Sequence, residues 1–537
     1  MSKDEIKNVS RAAGVVGFFT FLSRILGLVR DMVIACFFGS GMTTDAFFVA
    51  FRIPNLLRRL FAEGSLTIAF IPVFTEYLTA KGKKDAFELA RVVLTLLTII
   101  ITVLTLLGII FSPWIVRFQA YGFGDTGYKY ELTVLLTRII FPYIFFISIV
   151  AFFMGVLNSL RRFAAPASAP IFLNIGIIGA VFLISPHLSR PIIGVAIGVI
   201  IGGMLQVGIQ IPSVLKEGFV MIPCFKFDHP GIKRIGMLML PAIFGSAVYQ
   251  FNQFIGTLIA SFLTEGSISW LYYSDRITQF PLGVFAIAIS TAVLPSLSTQ
   301  AAQKETDQFL NTLNHALRLT FFIILPSMVG LIILGKPIIR LLFERGAFDA
   351  NSTLMTYRAL VFYATGLWAF SGIRVIVAGF YALQDTKTPV KMAIIAVISY
   401  MIFSLALMGP LKHAGLALAL SLASSLQFIL LIILFKRKLH VKGLRPVLVS
   451  AVKCSSAAAF MGVCLYYSSS IWFIFIPCNG LWNMITYLFC QIVIGLSIYF
   501  VSASVLGCSE LQSVAEIFFP IFRKIIPYRK ITAHRKG

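Results

Sequence analysis

The sequence predicts an all-α polytopic membrane protein. It would have about 14 transmembrane helices, in two pseudo-symmetric six-helix lobes plus two C-terminal helices. Three observations predict it. Of the 537 residues, 58% are hydrophobic and only 12% charged, against about 25% charged in soluble proteins. At roughly 20 apolar residues per crossing, that content suffices for about 14 spans. The other two observations are a lopsided distribution of Lys and Arg among the connections and an internal repeat. The composition excludes an ordinary soluble enzyme, a disordered chain and a secreted disulfide scaffold.

Taken in order, apolar runs place spans near 12–36, 46–74, 92–116, 132–158, 167–186, 192–214 and 236–262. They continue near 269–298, 316–335, 355–382, 390–409, 413–435, 447–468 and 482–506. The first run contains Arg24 and Arg30 and lacks a small-residue cleavage site, so it is expected to be retained as a span. The connections are short and leave no large extramembrane domain. Residues 507–537 read as a basic tail with an interfacial helix around Leu511 to Phe522.

The formal net charge is +24. Alternate connections divide the cations unequally. One side, from Lys3, Lys7 and Arg11 through Lys436, Arg437 and Lys438 to the tail, holds 28 Lys and Arg. The other side holds seven: Arg117, Lys129, Arg190, Lys336, Arg340, Arg345 and Lys412. Lys and Arg accumulate in short cytoplasmic loops. The bias therefore predicts an even number of spans with both termini cytoplasmic. No nucleic-acid module accompanies the basic charge, so no nucleic-acid partner is expected.

The repeat appears at three places. FFGSGMTTDAFFVAFRIP around Gly41 is echoed by FLTEGSISWLYYSDRITQFP around Gly266. Pro72 of IPVFTEY matches Pro295 of LPSLSTQ, and Gly155 of GVLNSLRRFAAP matches Gly379 of GFYALQDTKTP. The separations are 225, 223 and 224 residues. This predicts a six-helix lobe over 1–225, a second over 226–440, two extra helices in 441–510 and a cytoplasmic tail over 511–537. Six spans per lobe make the repeats parallel, an arrangement of transporters with the substrate between the halves. Some channels also use paired repeats.

Ionisable residues inside spans default to functional hypotheses. Span 1 carries Arg24, Arg30 and Asp31; span 2 carries Asp45, Arg52, Arg58, Arg59 and Glu63. Arg24 and Asp31 share one helical stripe, with Arg30 about 120° from Arg24. Asp45, Arg52, Arg59 and Glu63 share another, if Pro54 leaves the helix straight. Asp275 and Arg276 lie in span 8, Arg358 and Arg374 in span 10, Arg138 in span 4. For Arg52, Arg138 and Arg374 the expectation is snorkelling or internal ion pairing. For Arg24, Arg30, Arg58, Arg59 and Arg276 it is function. Guanidinium binds phosphate bidentately, and arginines outnumber their acidic neighbours, so a cationic cavity for an anionic substrate is expected. No GxxxxGK[ST] loop, HExxH or catalytic carboxylate pair is present, and no cofactor is expected. The seven cysteines are scattered through apolar runs without CxxC or Cys/His spacing, and read as small hydrophobes with no metal.

The segments SRILGLVRD, GMTTDAFFVAFRIPNLLRRLFAEGSLTIAFIPVFTEY, SWLYYSDRITQFPLGV, GFYALQDTKTPVK and GPLKHAGLALA closely resemble the MurJ/MviN lipid II flippase family of the multidrug/oligosaccharidyl-lipid/polysaccharide exporter superfamily. The resemblance covers essentially the whole chain. It implies a flippase of peptidoglycan biosynthesis, not an enzyme, in the bacterial inner membrane. Such a protein moves lipid II, an undecaprenyl-pyrophosphate disaccharide-pentapeptide, from the cytoplasmic to the periplasmic leaflet by alternating access. Carried over residue by residue, substrate-binding arginines fall on Arg24, Arg30, Arg58, Arg59 and Arg276. Supporting or coupling carboxylates fall on Asp31, Asp45 and Asp275. A cytoplasmic gate pair falls on Glu63 and Arg358. Residues 447–506 would hold the lipid tail by position alone. The resemblance admits sodium ion or proton coupling, with Asp385 the one sodium candidate. It implies a monomer whose partners are lipid II, membrane lipids and other cell-wall synthesis proteins. The rival readings are an exporter of another polyprenyl-linked glycan and a membrane enzyme acting on lipid-linked sugars.

Overall fold

The computed structural model describes residues 3–58, 66–439, 445–475, 480–512 and 514, and these contain helices and turns with no strand. The helices are α1 (Lys3–Phe38), α2 (Met42–Leu57), α3 (Thr67–Ala80), α4 (Lys83–Ile110), α5 (Ser112–Gln119), α6 (Tyr128–Ile140), α7 (Tyr143–Ser159), α8 (Ala164–Leu183) and α9 (Ile192–Lys216). They continue as α10 (Pro230–Ser261), α11 (Ser267–Pro281), α12 (Ile287–Ala302), α13 (Thr306–Phe343), α14 (Ala350–Ala364), α15 (Leu367–Ala382), α16 (Lys387–Leu439), α17 (Arg445–Phe475) and α18 (Leu481–Val505).

Among the described residues the apolar runs fall mainly on helix, part of the run 46–74 (residues 59–65) lying outside them, and several runs are broken where the chemistry demands it. The run 132–158 divides at Phe141–Pro142, where the proline lacks the amide that would continue the ladder. After Pro281, residues Leu282–Ala286 form a single π-type stretch before α12. α14 and α15 are bent by 43° at the short break between them, and together have the length and apolarity of one span. α16 runs for 53 residues, roughly 80 Å at 1.5 Å per residue, far more than one crossing of about 30 Å. It breaks at Lys412, whose φ of 50° and ψ of −133° are not helical. That break separates the two runs expected at 390–409 and 413–435. Among the described residues, nine helices have the length and apolarity of a span, or ten with the bent pair. The count of about 14 is thus not fixed by this criterion.

The chain forms two compact units. The first comprises residues 1–274, 342–359 and 393–419. Its tightest packing is α8 against α9. A Cβ on Gly176 would lie 2.6 Å from Gly202 Cα, and one on Gly198 would lie 2.7 Å from Ala180 Cβ. Small residues let two backbones touch where lipid supplies no hydrophobic drive between helices. A second core gathers Phe70, Phe74, Phe152, Phe153 and Phe219 from α3, α7 and the segment after α9.

The second unit comprises residues 275–341, 360–392 and 420–537. Its core joins Phe309, Leu313 and Phe322 of α13 to Phe380 of α15, Phe428 and Phe435 of α16, and Tyr487 and Tyr499 of α18. α17 and α18 pack on each other, with Gly495 of α18 facing Leu465 of α17, while Gly462 of α17 faces Val329 of α13.

Candidate functional site

Two buried polar junctions stand inside the apolar helices of the first unit. The first is built on Arg30 and Asp31 near the C-terminal end of α1, which are 8% and 1% exposed. Arg30 donates to Asp31 Oδ1 from Nε at 3.0 Å and from Nη2 at 2.6 Å. Its Nη1 donates to Asn174 Oδ1 on α8 at 3.2 Å. The Tyr272 hydroxyl on α11 accepts from Arg30 Nη2 at 3.1 Å and donates to Asp31 Oδ1 at 3.2 Å. Asn174 also bridges α8 to α1 by donating to the Ser23 carbonyl at 3.3 Å. An isolated buried guanidinium is costly, and this cluster compensates it with one carboxylate and two neutral polar groups. Tyr272 is itself held by stacking on Phe48, ring centroids 3.9 Å apart.

The second junction is built on Asp45, 1% exposed in the first turn of α2. Gly266 N donates to Oδ2 at 2.8 Å, and Ser269 donates to Oδ1 from N at 2.9 Å and from Oγ at 2.7 Å. Lys129 Nζ completes the shell at 3.2 Å from Oδ2. Asp45 thus caps the N-terminus of α11 from a distant part of the chain, where free amides and the helix dipole favour an anion. Beside it, Trp270 Nε1 donates to Ser40 Oγ at 2.7 Å, and Ser40 Oγ donates to Ser352 Oγ at 2.6 Å. Trp270 packs on the His413 ring at 4.8 Å, and His413 Nε2 meets the Met355 carbonyl at 2.9 Å. The start of α14 is capped in turn by Asp349, which accepts from Ser352 N at 2.8 Å. Hydrogen bonds from the Ser352 hydroxyl and amide hold the Asp349 carboxyl below its usual range.

The remaining site residues expected from sequence fall elsewhere. Arg24 is exposed on α1. It shares a helical stripe with the buried Asp31, but their seven-residue separation is about 10 Å along the axis. The stripe therefore does not equalise their burial. Arg58 donates to Asn55 Oδ1 at 2.8 Å. Arg59 and Glu63 lie outside the described residues. Arg358 is exposed, with Nη1 4.0 Å from Met355 Sδ. Asp275 and Arg276 are half-buried in α11, at the start of the second unit. Asp275 accepts from Gln279 Nε2 at 3.3 Å. Arg52 donates to the Gln253 carbonyl at 3.3 Å and to the Thr257 hydroxyl, both neutral acceptors. Arg138 donates to Ser112 Oγ at 3.0 Å.

Asp385 lies in the turn before α16. Its Oδ1 accepts Thr388 N at 3.0 Å, and its Oδ2 accepts Thr388 Oγ1 at 2.8 Å and Lys438 Nζ at 2.5 Å. Burial pushes the carboxyl up, but Lys438 and Thr388 overcome this and hold it at about 2. The cation that Asp385 meets in this structure is the Lys438 ammonium.

Tyr272, Asn174, Lys129 and Ser269 were not singled out from the sequence. A lone Asn in an apolar run was the available signal for Asn174. Lys129 read only as a loop cation, and Tyr272 was overshadowed by Arg276 in the same motif.

With this geometry in place, the chain can be compared with known proteins. A family profile described as lipid II flippase MurJ matches residues 34–486. The chain is 40% identical over 444 residues to a probable lipid II flippase MurJ of Vibrio cholerae, covering 81% of this chain and 84% of the relative. It is 39% identical over 435 residues to the lipid II flippase MurJ of Burkholderia cenocepacia, covering 80% and 84%. A solved structure of lipid II flippase MurJ in an inward closed conformation is similar with a TM-score of 0.76 at 30% identity, over 95% of this chain and 99% of that chain. An inward-facing multidrug resistance MATE family transporter of the MOP superfamily shares the fold alone, with a TM-score of 0.66 at 14% identity over 80% and 98%. The profile spans most of the sequence and the relatives stand near 40% identity: the chain belongs to the lipid II flippase MurJ family.

Proposed function

We propose that this chain carries lipid II from the cytoplasmic to the periplasmic leaflet of a bacterial inner membrane by alternating access, as a monomer with both termini cytoplasmic. The observation that carries the reading is the family match over residues 34–486, which takes in the buried Asp45 junction and Asn174 and Tyr272, the partners of Arg30. A pyrophosphate brings about two negative charges to membrane depth, where an unpaired ion is strongly disfavoured. Guanidinium groups offset that cost with bidentate geometry.

In this account Arg30 is stored against Asp31, Asn174 and Tyr272, and exchanges part of that shell for the pyrophosphate. Arg24, exposed nearer the N-terminus of α1, makes the first contact. Arg276 adds a third guanidinium, and Arg58 and Arg59 support the cavity charge. Asp31, Asp45 and Asp275 orient basic groups. Asp45 with Lys129 and Ser269, and Ser40 with Trp270 and Ser352, latch the outer ends of their helices. Glu63 and Arg358 act at the cytoplasmic mouth. The prenyl tail stays in hydrocarbon beside the extra helices. An apolar groove of about 380 Å³ between Leu317, Phe321, Phe428 and Val447 supports this placement. Charge movement through a cationic cavity senses the membrane potential at ~2.3 kcal/mol per charge per 100 mV.

The reading is tested by complementation. A bacterium depleted of its own lipid II flippase should grow with normal shape when it expresses this chain. Lysis at normal expression and membrane insertion would oppose it.

A further inference from the structure

Cys454 lies on α17, and Cys508 and Glu510 follow the end of α18. The sequence offers no spacing that relates them, and the fold brings them together. Gly507 ends the last helix in the left-handed conformation, φ 65°. Cys508 N then bonds back to the Ala503 carbonyl at 2.9 Å and Gly507 N to that of Ser504 at 3.1 Å, a Schellman-type stop. This reversal folds residues 508–510 onto α17. One donor atom from each of Cys454, Cys508 and Glu510 then lies within 4.8 Å of the others. Among the described residues it is the one such trio of His, Cys, Asp or Glu.

The trio is buried, at 0%, 6% and 2% exposure respectively. Glu510 Oε1 accepts from Arg318 Nε at 2.5 Å and from Ser450 Oγ at 2.8 Å. Its other oxygen, Oε2, is buried with no hydrogen-bond partner. A buried carboxylate oxygen left unmade is costly and signals a missing electrophile.

We infer that Cys454, Cys508 and Glu510 form a binding site for a thiophilic divalent cation, zinc being the reference ion. Two sulfurs and one carboxylate are a borderline-soft set suited to zinc, with bonds of about 2.3 Å to sulfur and about 2.0–2.2 Å to oxygen. Closing on such an ion needs movements of only about 1 Å from the present separations. Ser450 Oγ, 3.9 Å from Cys454 Sγ, or a water from the adjoining cavity of about 370 Å³ supplies the fourth ligand. The charges also close. A divalent ion with two thiolates and one carboxylate carries one net negative charge, which Arg318 answers. Binding displaces two thiol protons to solvent, with no redox change. The ion would staple α17 to the segment beyond α18 and is not assigned a part in transport.

The test uses the full chain purified in detergent with a reductant, then exposed to Zn²⁺ or Co²⁺ and desalted. The expected result is stoichiometric zinc by elemental analysis, a cobalt–thiolate charge-transfer band, and a higher melting temperature with Zn²⁺. Metal and band should both be lost in the Cys454→Ser/Cys508→Ser variant, and the band should be shifted in Glu510→Gln. Absence of retained metal and of a thermal shift in the unaltered chain would overturn the site, whether or not the variants fold. Equal metal retention by a folded double variant would also overturn it, as would a Cys454–Cys508 disulfide persisting under reductant.

Discussion

Asp45 and Ser269 lie 224 residues apart in sequence, yet the Ser269 hydroxyl and amide meet Asp45 Oδ1 at 2.7 and 2.9 Å. The contact ties the first turn of α2 to the N-terminus of α11 within the first unit. The carboxylate accepts three hydrogen bonds there besides its contact with Lys129.

Removing Asp45 therefore leaves two amides and an ammonium without their acceptor. Asp45→Ala should destabilise the purified protein by about 3–5 kcal/mol, the range for breaking one partner of a buried ion pair. Asp45→Asn, which retains one acceptor oxygen, should cost less. Melting temperatures in detergent check this. A variant melting with the parent would show that the cap contributes nothing.

Arg30 has a stored shell, and Arg24 is exposed. Arg24→Ala, Arg30→Ala and Arg276→Ala should each abolish complementation at normal protein level, while Lys at the same positions should rescue only in part, because an ammonium lacks the bidentate fork. Asn174→Leu should weaken Arg30 storage and lower the melting temperature without removing a charge. Full growth with all three alanines together would end the pyrophosphate assignment.

The charged positions were legible because a guanidinium or carboxylate in an apolar run demands a reason. Arg30, Asp31 and Asp45 proved to be buried and paired. Their neutral partners were not legible. Asn174 and Tyr272 meet Arg30 only through the packing of α8 and α11 on α1, which periodicity does not encode. Among the described residues the expected spans fall mainly on helix, since a long apolar run has to satisfy its backbone internally. The break at Lys412 coincides with the gap expected between 409 and 413, whereas those at Pro142 and Leu282–Ala286 lie inside runs that the apolar count treats as continuous. The Cys454–Cys508 approach was invisible because it depends on the reversal at Gly507.

Close helix packing gives a third expectation. A Cβ at position 198 would lie 2.7 Å from Ala180 Cβ and 2.9 Å from Ile177 Cα, where no flexible side chain can yield. Gly198→Ala should cost about 1–3 kcal/mol, typical of overpacking, and Gly198→Val more. Thermal denaturation checks both, and an unchanged Gly198→Val melt would contradict the packing of α8 on α9.

The Asp385–Lys438 pair sets a pH dependence. Asp385 has a folded value of about 2 against an ordinary 3.8. A depressed carboxyl stabilises the fold above the unfolded value and loses that contribution as pH falls through the folded one. The melting difference between the parent and Asp385→Asn should thus be full at neutral pH and shrink as pH falls from about 4 toward 2. A difference that grows on acidification would reverse the sign of the account.

The central claim is tested most directly by the leaflet distribution of lipid II in cells that depend on this chain. On its depletion, lipid II accessible at the periplasmic face should fall while the cytoplasmic pool rises, and re-expression should restore both. Unchanged surface exposure of lipid II after depletion would contradict the claim.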